Sequence, residues 1–195
     1  LLHGVTSSGK TEIYIHLMQQ FLAEGKQILY LLPEIALTTQ LTQRLQAVFG
    51  NRLGIYHSRI NNNERTEIWQ KMLSEDPYEI IIGVRSSLFL PFQQLGLVIV
   101  DEEHEASYKQ QDPAPRYHAR DAAVMLAHFF GAKTLLGSAT PSIESYFNAK
   151  TGKYGDLRRR LVFLLLALIV YRIGAHIPVP GIDPNQLQQL FNSQQ

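Results

Sequence analysis

The chain has no cysteine among its 195 residues. That excludes a disulfide framework, a thiolate zinc site and a cysteine nucleophile. Charge is also scarce: Asp, Glu, Lys and Arg make up 18% of the sequence, against about 25% in a typical domain. The formal net charge of +1 argues neither for nor against a nucleic-acid partner, since a local basic patch can hide in a balanced total. No internal repeat, low-complexity stretch or Gly/Ser-rich spacer is present. The longest uninterrupted apolar run has 11 residues, short of the roughly 20 that a simple membrane span needs. What is plentiful is apolar side chain, 45% of the total, and this excludes disorder of the whole chain. The length suits one domain with a full core, or one domain with an appendage, and is too short for a two-lobed motor.

The charge is unevenly spread. Residues 1–155 hold 14 Lys+Arg and 15 Asp+Glu, a net of −1. Residues 156–195 hold four arginines (Arg158, Arg159, Arg160, Arg172) and two aspartates (Asp156, Asp183), a net of +2, and contain the apolar run Leu161–Tyr171.

The first part alternates between strand and helix patterns. Short apolar runs at residues 1–3, Gln27–Leu32, Leu53–Tyr56, Glu79–Gly83, Leu97–Val100 and Lys133–Leu136 suit buried parallel strands. Helical spacing predicts helices over Glu12–Ala23 (Ile13, Leu17, Phe21 and Leu22 inward) and Thr38–Phe49 (Leu41, Leu45 and Val48 inward). Two more are expected over Asn62–Leu73 and over His118–Phe130, the latter with Ala122, Leu126 and Phe129 inward. Pro141 is expected to open a last helix with Thr140 as its cap. Such alternation implies βαβ units with right-handed crossovers and a parallel sheet flanked by helices. Ligands in these sheets bind at the C-terminal ends of the strands.

The chemistry-bearing motifs fall at those strand ends. Gly4-Val5-Thr6-Ser7-Ser8-Gly9-Lys10-Thr11 satisfies G-x-x-x-x-G-K-[ST]. Its backbone N–H groups can wrap phosphates, Lys10 offers a charge to the β- and γ-phosphates, and Thr11 offers a hydroxyl to Mg²⁺. The helix that follows points its positive end at the same anion. The strand Leu95–Val100 runs into Asp101-Glu102-Glu103-His104. Asp101 is placed to hold the metal and Glu102 to orient and deprotonate a water. Gly137-Ser138-Ala139-Thr140-Pro141 follows the Lys133–Leu136 strand, where small hydroxyl residues can report phosphate state or cap a helix. Arg85 reads equally as a phosphate contact or a surface salt bridge. Tyr108 reads as a stacking residue or a loop anchor. His3, His16, His57 and His128 form no metal-ligand pattern and are expected in packing or surface positions.

In this order the phosphate loop, Asp-Glu-Glu-His and Gly-Ser-Ala-Thr resemble superfamily 2 helicases. The resemblance narrows to the primosomal replication-restart helicases through His3–Glu12, Leu32–Gln40, Gly83–Phe89, Asp101–Gln111 and Arg116–Asp121. It covers roughly residues 1–154. One departure is Ser7, where that family usually has glycine. The resemblance implies a P-loop (RecA-like) α/β lobe, ATP and Mg²⁺ as cofactors, and 3′-to-5′ DNA helicase activity at forked or single-stranded DNA, together with primosome proteins. Lys10 and Thr11 would then meet phosphate and magnesium, with Asp101 and Glu102 as metal and water residues. His104, Ser138, Ala139 and Thr140 would couple nucleotide state to DNA, and Pro33, Glu34, Arg85 and Ser86 would lie along the DNA path. The family's second motor lobe and cysteine-rich zinc region have no counterpart in these residues, so no zinc is expected and ATP is expected to be bound but poorly hydrolysed. A cytoplasmic location is implied for 1–154.

Residues 155–195 resemble a different family, the SecY channel subunit of the protein-export translocon, at the start of its first membrane helix. The match runs through Leu157–Leu161 and Ala167–Asp183. The stretch 161–177 has one charge, Arg172, and a triple arginine before it that suits a cytoplasmic flank. A C-terminal hydrophobic helix and an inner-membrane contact through 161–177 are therefore expected, against the plainer reading of a buried soluble helix. Three whole-chain readings follow: a helicase lobe with a foreign tail, a translocon fragment with a fused soluble domain, or two sequences joined without a common role.

Overall fold

The computed structural model describes residues 1–4, 9–112 and 114–151. Val5, Thr6, Ser7 and Ser8, and the whole tail from residue 152, lie outside the described residues, so the expected hydrophobic helix at 161–177 does too. Residues 1–146 form one compact unit; of the remaining unit, 147–195, only residues 147–151 are described.

Six strands appear where apolar runs are bounded by polar or glycine residues: β1 (Leu2–His3), β2 (Gln27–Leu31), β3 (Leu53–Tyr56), β4 (Ile80–Gly83), β5 (Leu95–Val100) and β6 (Lys133–Ser138). All pair in parallel in the order β1-β6-β5-β2-β4-β3. β2, β4 and β5 are buried along their whole length. Continuous apolar runs are what a sheet covered on both faces requires. The two-residue alternation of side chains then sorts them between two cores. Ile28, Tyr30, Ile82 and Ile99 pack on one face with Tyr14, Met18, Leu45 and Phe49. Leu29, Leu31, Ile81, Val98 and Val100 pack on the other with Met72, Ala119, Ala123 and Ala127.

Helices α1 (Lys10–Ala23), α2 (Thr39–Phe49), α3 (Asn62–Leu73) and α4 (Ala119–Phe130) supply those covers, and α5 (Ile143–Thr151) follows β6. Their ends carry recognisable chemistry. The Thr38 hydroxyl accepts from the Leu41 N–H at the start of α2. Asn61 and Glu64 form a reciprocal capping box on α3. Gly131, at φ 64°, ends α4 in a left-handed turn that glycine adopts without steric cost.

Three helix faces are rotated from the sequence expectation. In α1 the buried line is Lys10, Tyr14, Met18 and Leu22 with Ile15; Leu17 and Phe21 pack partly buried against it as expected, while Ile13 is exposed. In α2 Leu45 and Phe49 are buried and Val48 is exposed. In α4 the buried residues are Ala119, Ala123 and Ala127; Ala122 and Leu126 flank them, and Phe129 is 76% exposed. The last helix starts at Ile143 rather than Pro141. Ser142, not Thr140, takes the capping role, its hydroxyl accepting from the Ser145 N–H at 3.2 Å. None of His3, His16, His57 and His128 is buried.

Candidate nucleotide site

The C-terminal edge of the sheet gathers the motif residues. α1 begins at Gly9, whose φ of 80° is open to glycine and closed to most other residues. The Glu12 N–H donates to the Gly9 carbonyl at 3.0 Å, which sets the first turn immediately beside the end of β5. Lys10 is only 9% exposed, and its Nζ donates to Glu102 Oε1 at 3.0 Å. Asp101 and Glu102 leave the end of β5, where the Asp101 N–H donates to the Leu31 carbonyl. Glu102 sits at φ 45°, in the left-handed region that side chains with a Cβ avoid. Gly9, Lys10, Thr11, Asp101 and Glu102 share a cleft of about 500 Å³ with Thr38 and Gln40 at the entry to α2, and with Leu41 and Arg44 further along that helix. Arg44 pairs with Glu12 at its rim.

Asp101 is held by two residues that the motif reading passed over. The Tyr14 hydroxyl donates to Oδ1 at 2.9 Å and the Tyr30 hydroxyl to Oδ2 at 3.2 Å. The two rings meet edge to face, 5.5 Å between centroids. Burial first, and then the Asp101 charge, pushes both phenol pKa values far above the ordinary one, so both remain protonated donors. Gly137 closes this cradle from β6: a Cβ there would fall 1.8 Å from the Tyr14 hydroxyl oxygen. Tyr14 had a legible signal, since it lies one helical turn after Lys10 on the same side of α1. Tyr30 had a weaker one, as the single hydroxyl in the β2 run.

Glu103 turns away from the cleft and is fully buried. It accepts from Arg120 Nη1 at 2.9 Å, from the Ser142 N–H at 2.8 Å and from the Ser145 hydroxyl at 2.9 Å. Burial alone favours its protonated form, but the three donors outweigh it and hold its pKa below the usual carboxylate value. His104 Nδ1 lies 2.8 Å from the Ser138 hydroxyl oxygen, which also accepts from the Thr140 N–H. The loop 138–142 is therefore tied to the acidic segment at both ends, by His104 and by Glu103. Gly4 donates its N–H to the Ser138 carbonyl, and His3 contacts the Ala139 carbonyl at 3.1 Å.

Pro33, Glu34 and Arg85 line a second, smaller hollow with Leu32, Val84, Ser107 and Tyr108; Ser86 is half-buried beside it and does not line it. Arg85 forms no salt bridge among the described residues; its Nη1 lies 3.4 and 3.5 Å from the Ser107 and Lys109 carbonyls. Tyr108 is an anchor. It is 1% exposed, and its hydroxyl donates to the Asp101 and Leu31 carbonyls, so no base can stack on it.

A parallel sheet with a glycine-led helix, a lysine and paired carboxylates gathered at its C-terminal edge is the layout of an α/β fold of the nucleotide-binding kind. Residues 1–148 match the DEAD/DEAH box helicase family, and the chain belongs to it. Among curated proteins it is 49% identical over 154 residues to the replication restart protein PriA of Chlamydia pneumoniae, a match covering 79% of this chain and 20% of that protein. PriA of Bacillus subtilis is 45% identical over 154 residues, covering 79% and 19%, and PriA of Rickettsia felis 50% over 154 residues, covering 79% and 24%. The chain thus spans about a fifth of the length of these relatives. Among solved structures, RecG bound to a three-way DNA junction shares the fold, with a TM-score of 0.54 and 23% identity over 80% of this chain and 20% of that one. Among the described residues no helix is long and apolar enough to cross a membrane.

Proposed function

We propose that residues 1–154 are the ATP-binding first motor lobe of a 3′-to-5′ DNA helicase of replication restart. The single observation that carries this is the meeting of Lys10, Asp101 and Glu102 at one cleft beside the start of α1. The cleft suits a nucleoside phosphate with a divalent cation. A buried lysine with one carboxylate partner is a strong anion contact once that partner is drawn off. A carboxylate already steadied by two hydroxyls suits a hard cation.

In this reading Gly9 and the N–H groups opening α1 receive the phosphates, together with Gly4, Val5, Thr6, Ser7 and Ser8. Lys10 exchanges Glu102 for phosphate oxygen. Thr11 and Asp101 hold Mg²⁺, which when bound polarises the phosphates. Glu102, released from Lys10, is then free to orient a water and accept its proton. His104 and Ser138, with Ala139 and Thr140 behind them, carry the state of the cleft toward DNA. Pro33, Glu34, Arg85 and Ser86 border the DNA path, where Arg85 would exchange two carbonyls for a phosphate. The partners in this reading are forked or single-stranded DNA and primosome proteins, in a cytoplasmic setting; the relatives' printed name, replication restart protein, supports the DNA among these. The translocon-like reading of 155–195 concerns residues outside those described.

The test is binding of a fluorescent ATP analogue to the full chain. Wild type is expected to bind it, and Lys10→Ala to weaken binding by about tenfold or more, the worth of one charge-assisted contact. Equal binding by both chains would overturn the proposal.

A further inference from the structure

The hydrogen bonds around Asp101 leave it little free valence. An ionised carboxylate has about four lone-pair positions, two on each oxygen. Among the described residues, Oδ1 accepts from the Tyr14 hydroxyl at 2.9 Å and from the Glu102 N–H at 3.1 Å. Oδ2 accepts from the Tyr30 hydroxyl at 3.2 Å. One acceptor position therefore remains, on Oδ2. Both tyrosines are fully buried, and Gly137 leaves the Tyr14 hydroxyl no room to move toward β6. The arrangement is thus built into α1, β2 and β6 rather than improvised by a surface side chain.

Divalent cations differ in what they ask of a carboxylate. Mg²⁺ keeps several waters and takes one oxygen, or reaches the protein through water. Ca²⁺ is larger, gathers more oxygens and readily takes a carboxylate through both. We propose that Tyr14 and Tyr30 are metal-positioning residues which leave Asp101 a single acceptor and so make the site select a water-rich, one-point cation of the Mg²⁺ kind over Ca²⁺. The two tyrosines divide the task. Tyr14 blocks the two-oxygen mode by filling Oδ1, whereas Tyr30 aims Oδ2. Loss of the Tyr14 hydroxyl frees one position on Oδ1, so that one stands open on each oxygen. Loss of the Tyr30 hydroxyl frees a second position on Oδ2 only and leaves Oδ1 full.

The inference rests on the nucleotide-site reading, and the experiment separates the two. Binding of methylanthraniloyl-ADP to the full chain is measured with no divalent cation, with MgCl₂ and with CaCl₂, for wild type, Tyr14→Phe and Tyr30→Phe. Phenylalanine keeps each ring, so the cation-free affinity is expected to stay within about twofold of wild type. Wild type is expected to gain more affinity from Mg²⁺ than from Ca²⁺. In Tyr14→Phe the Mg²⁺-to-Ca²⁺ ratio is expected to fall by about fivefold or more, chiefly through a larger Ca²⁺ effect. In Tyr30→Phe both cations are expected to lose effect alike, with the ratio kept. An unchanged ratio in Tyr14→Phe, or an equal fall in both variants, overturns the proposal. It falls without any variant if Ca²⁺ serves wild type as well as Mg²⁺ does. A wild-type chain that binds the nucleotide indifferently to cations overturns this inference and leaves the nucleotide reading standing. One that binds no nucleotide overturns both.

Discussion

A carboxylate without solvent access persists in a folded chain only if its charge is answered on every side. Glu103 has that answer in Arg120, the Ser142 N–H and the Ser145 hydroxyl. Replacing Arg120 by Met strands the charge, and we expect a loss of about 3–5 kcal/mol in urea unfolding. Because the folded state holds the Glu103 pKa below its ordinary value of 4.5, the stabilisation is complete above that pH. It drains away as acid carries the pH down through the lower, folded value. The stability gap between wild type and Glu103→Gln is therefore expected to narrow as the pH falls from the ordinary value of 4.5 through the lower, folded one. The residues that line the cleft were legible because their spacing is local: Gly9, Lys10 and Thr11 are contiguous, and so are Asp101 and Glu102. Their supports were not, since Tyr14 and Tyr30 reach Asp101 across 87 and 71 positions and Arg120 reaches Glu103 across 17. Nothing short of the folded sheet brings such pairs together.

Elements were easier to find than to orient. Apolar runs and turn residues located all six strands, and Leu53–Tyr56 and Asn62–Leu73 fall on their expected bounds. Orientation failed where hydrophobic size misleads. α4 lies close to the sheet through Ala119, Ala123 and Ala127, because small side chains permit the approach, while bulky Phe129 is left outside. α1 is turned by chemistry rather than by oiliness: Lys10 must face the cleft, and Tyr14, Met18 and Leu22 follow it at four-residue steps. α3 depends heavily on its own ends, since Met72 is its only buried residue. Asn61→Ala is expected to cost about 1 kcal/mol in chemical denaturation by removing the capping box.

At the scale of the molecule, strand order was the part that no local pattern could supply. Alternation announces parallel strands and crossovers, but only the folded registers place β2 between β4 and β5 and β1 beside β6. That order grades the sheet. Backbone amides of β2 and β5, buried along their length, are expected to exchange with solvent most slowly, and those of the edge strands β1 and β3 fastest, by hydrogen-exchange mass spectrometry. The bent backbone at Glu102 bears on the same global stability. Glu102→Gly and Glu102→Ala both remove the carboxylate, yet glycine is expected to be the more stable by about 1 kcal/mol, the reverse of its usual penalty, because it relaxes the φ of 45°. A library selected for heat resistance alone would drift toward glycine at this position, and one selected to keep the Lys10–Glu102 contact would drift back. The two selections pull residue 102 apart because the fold spends stability there to hold a carboxylate against Lys10.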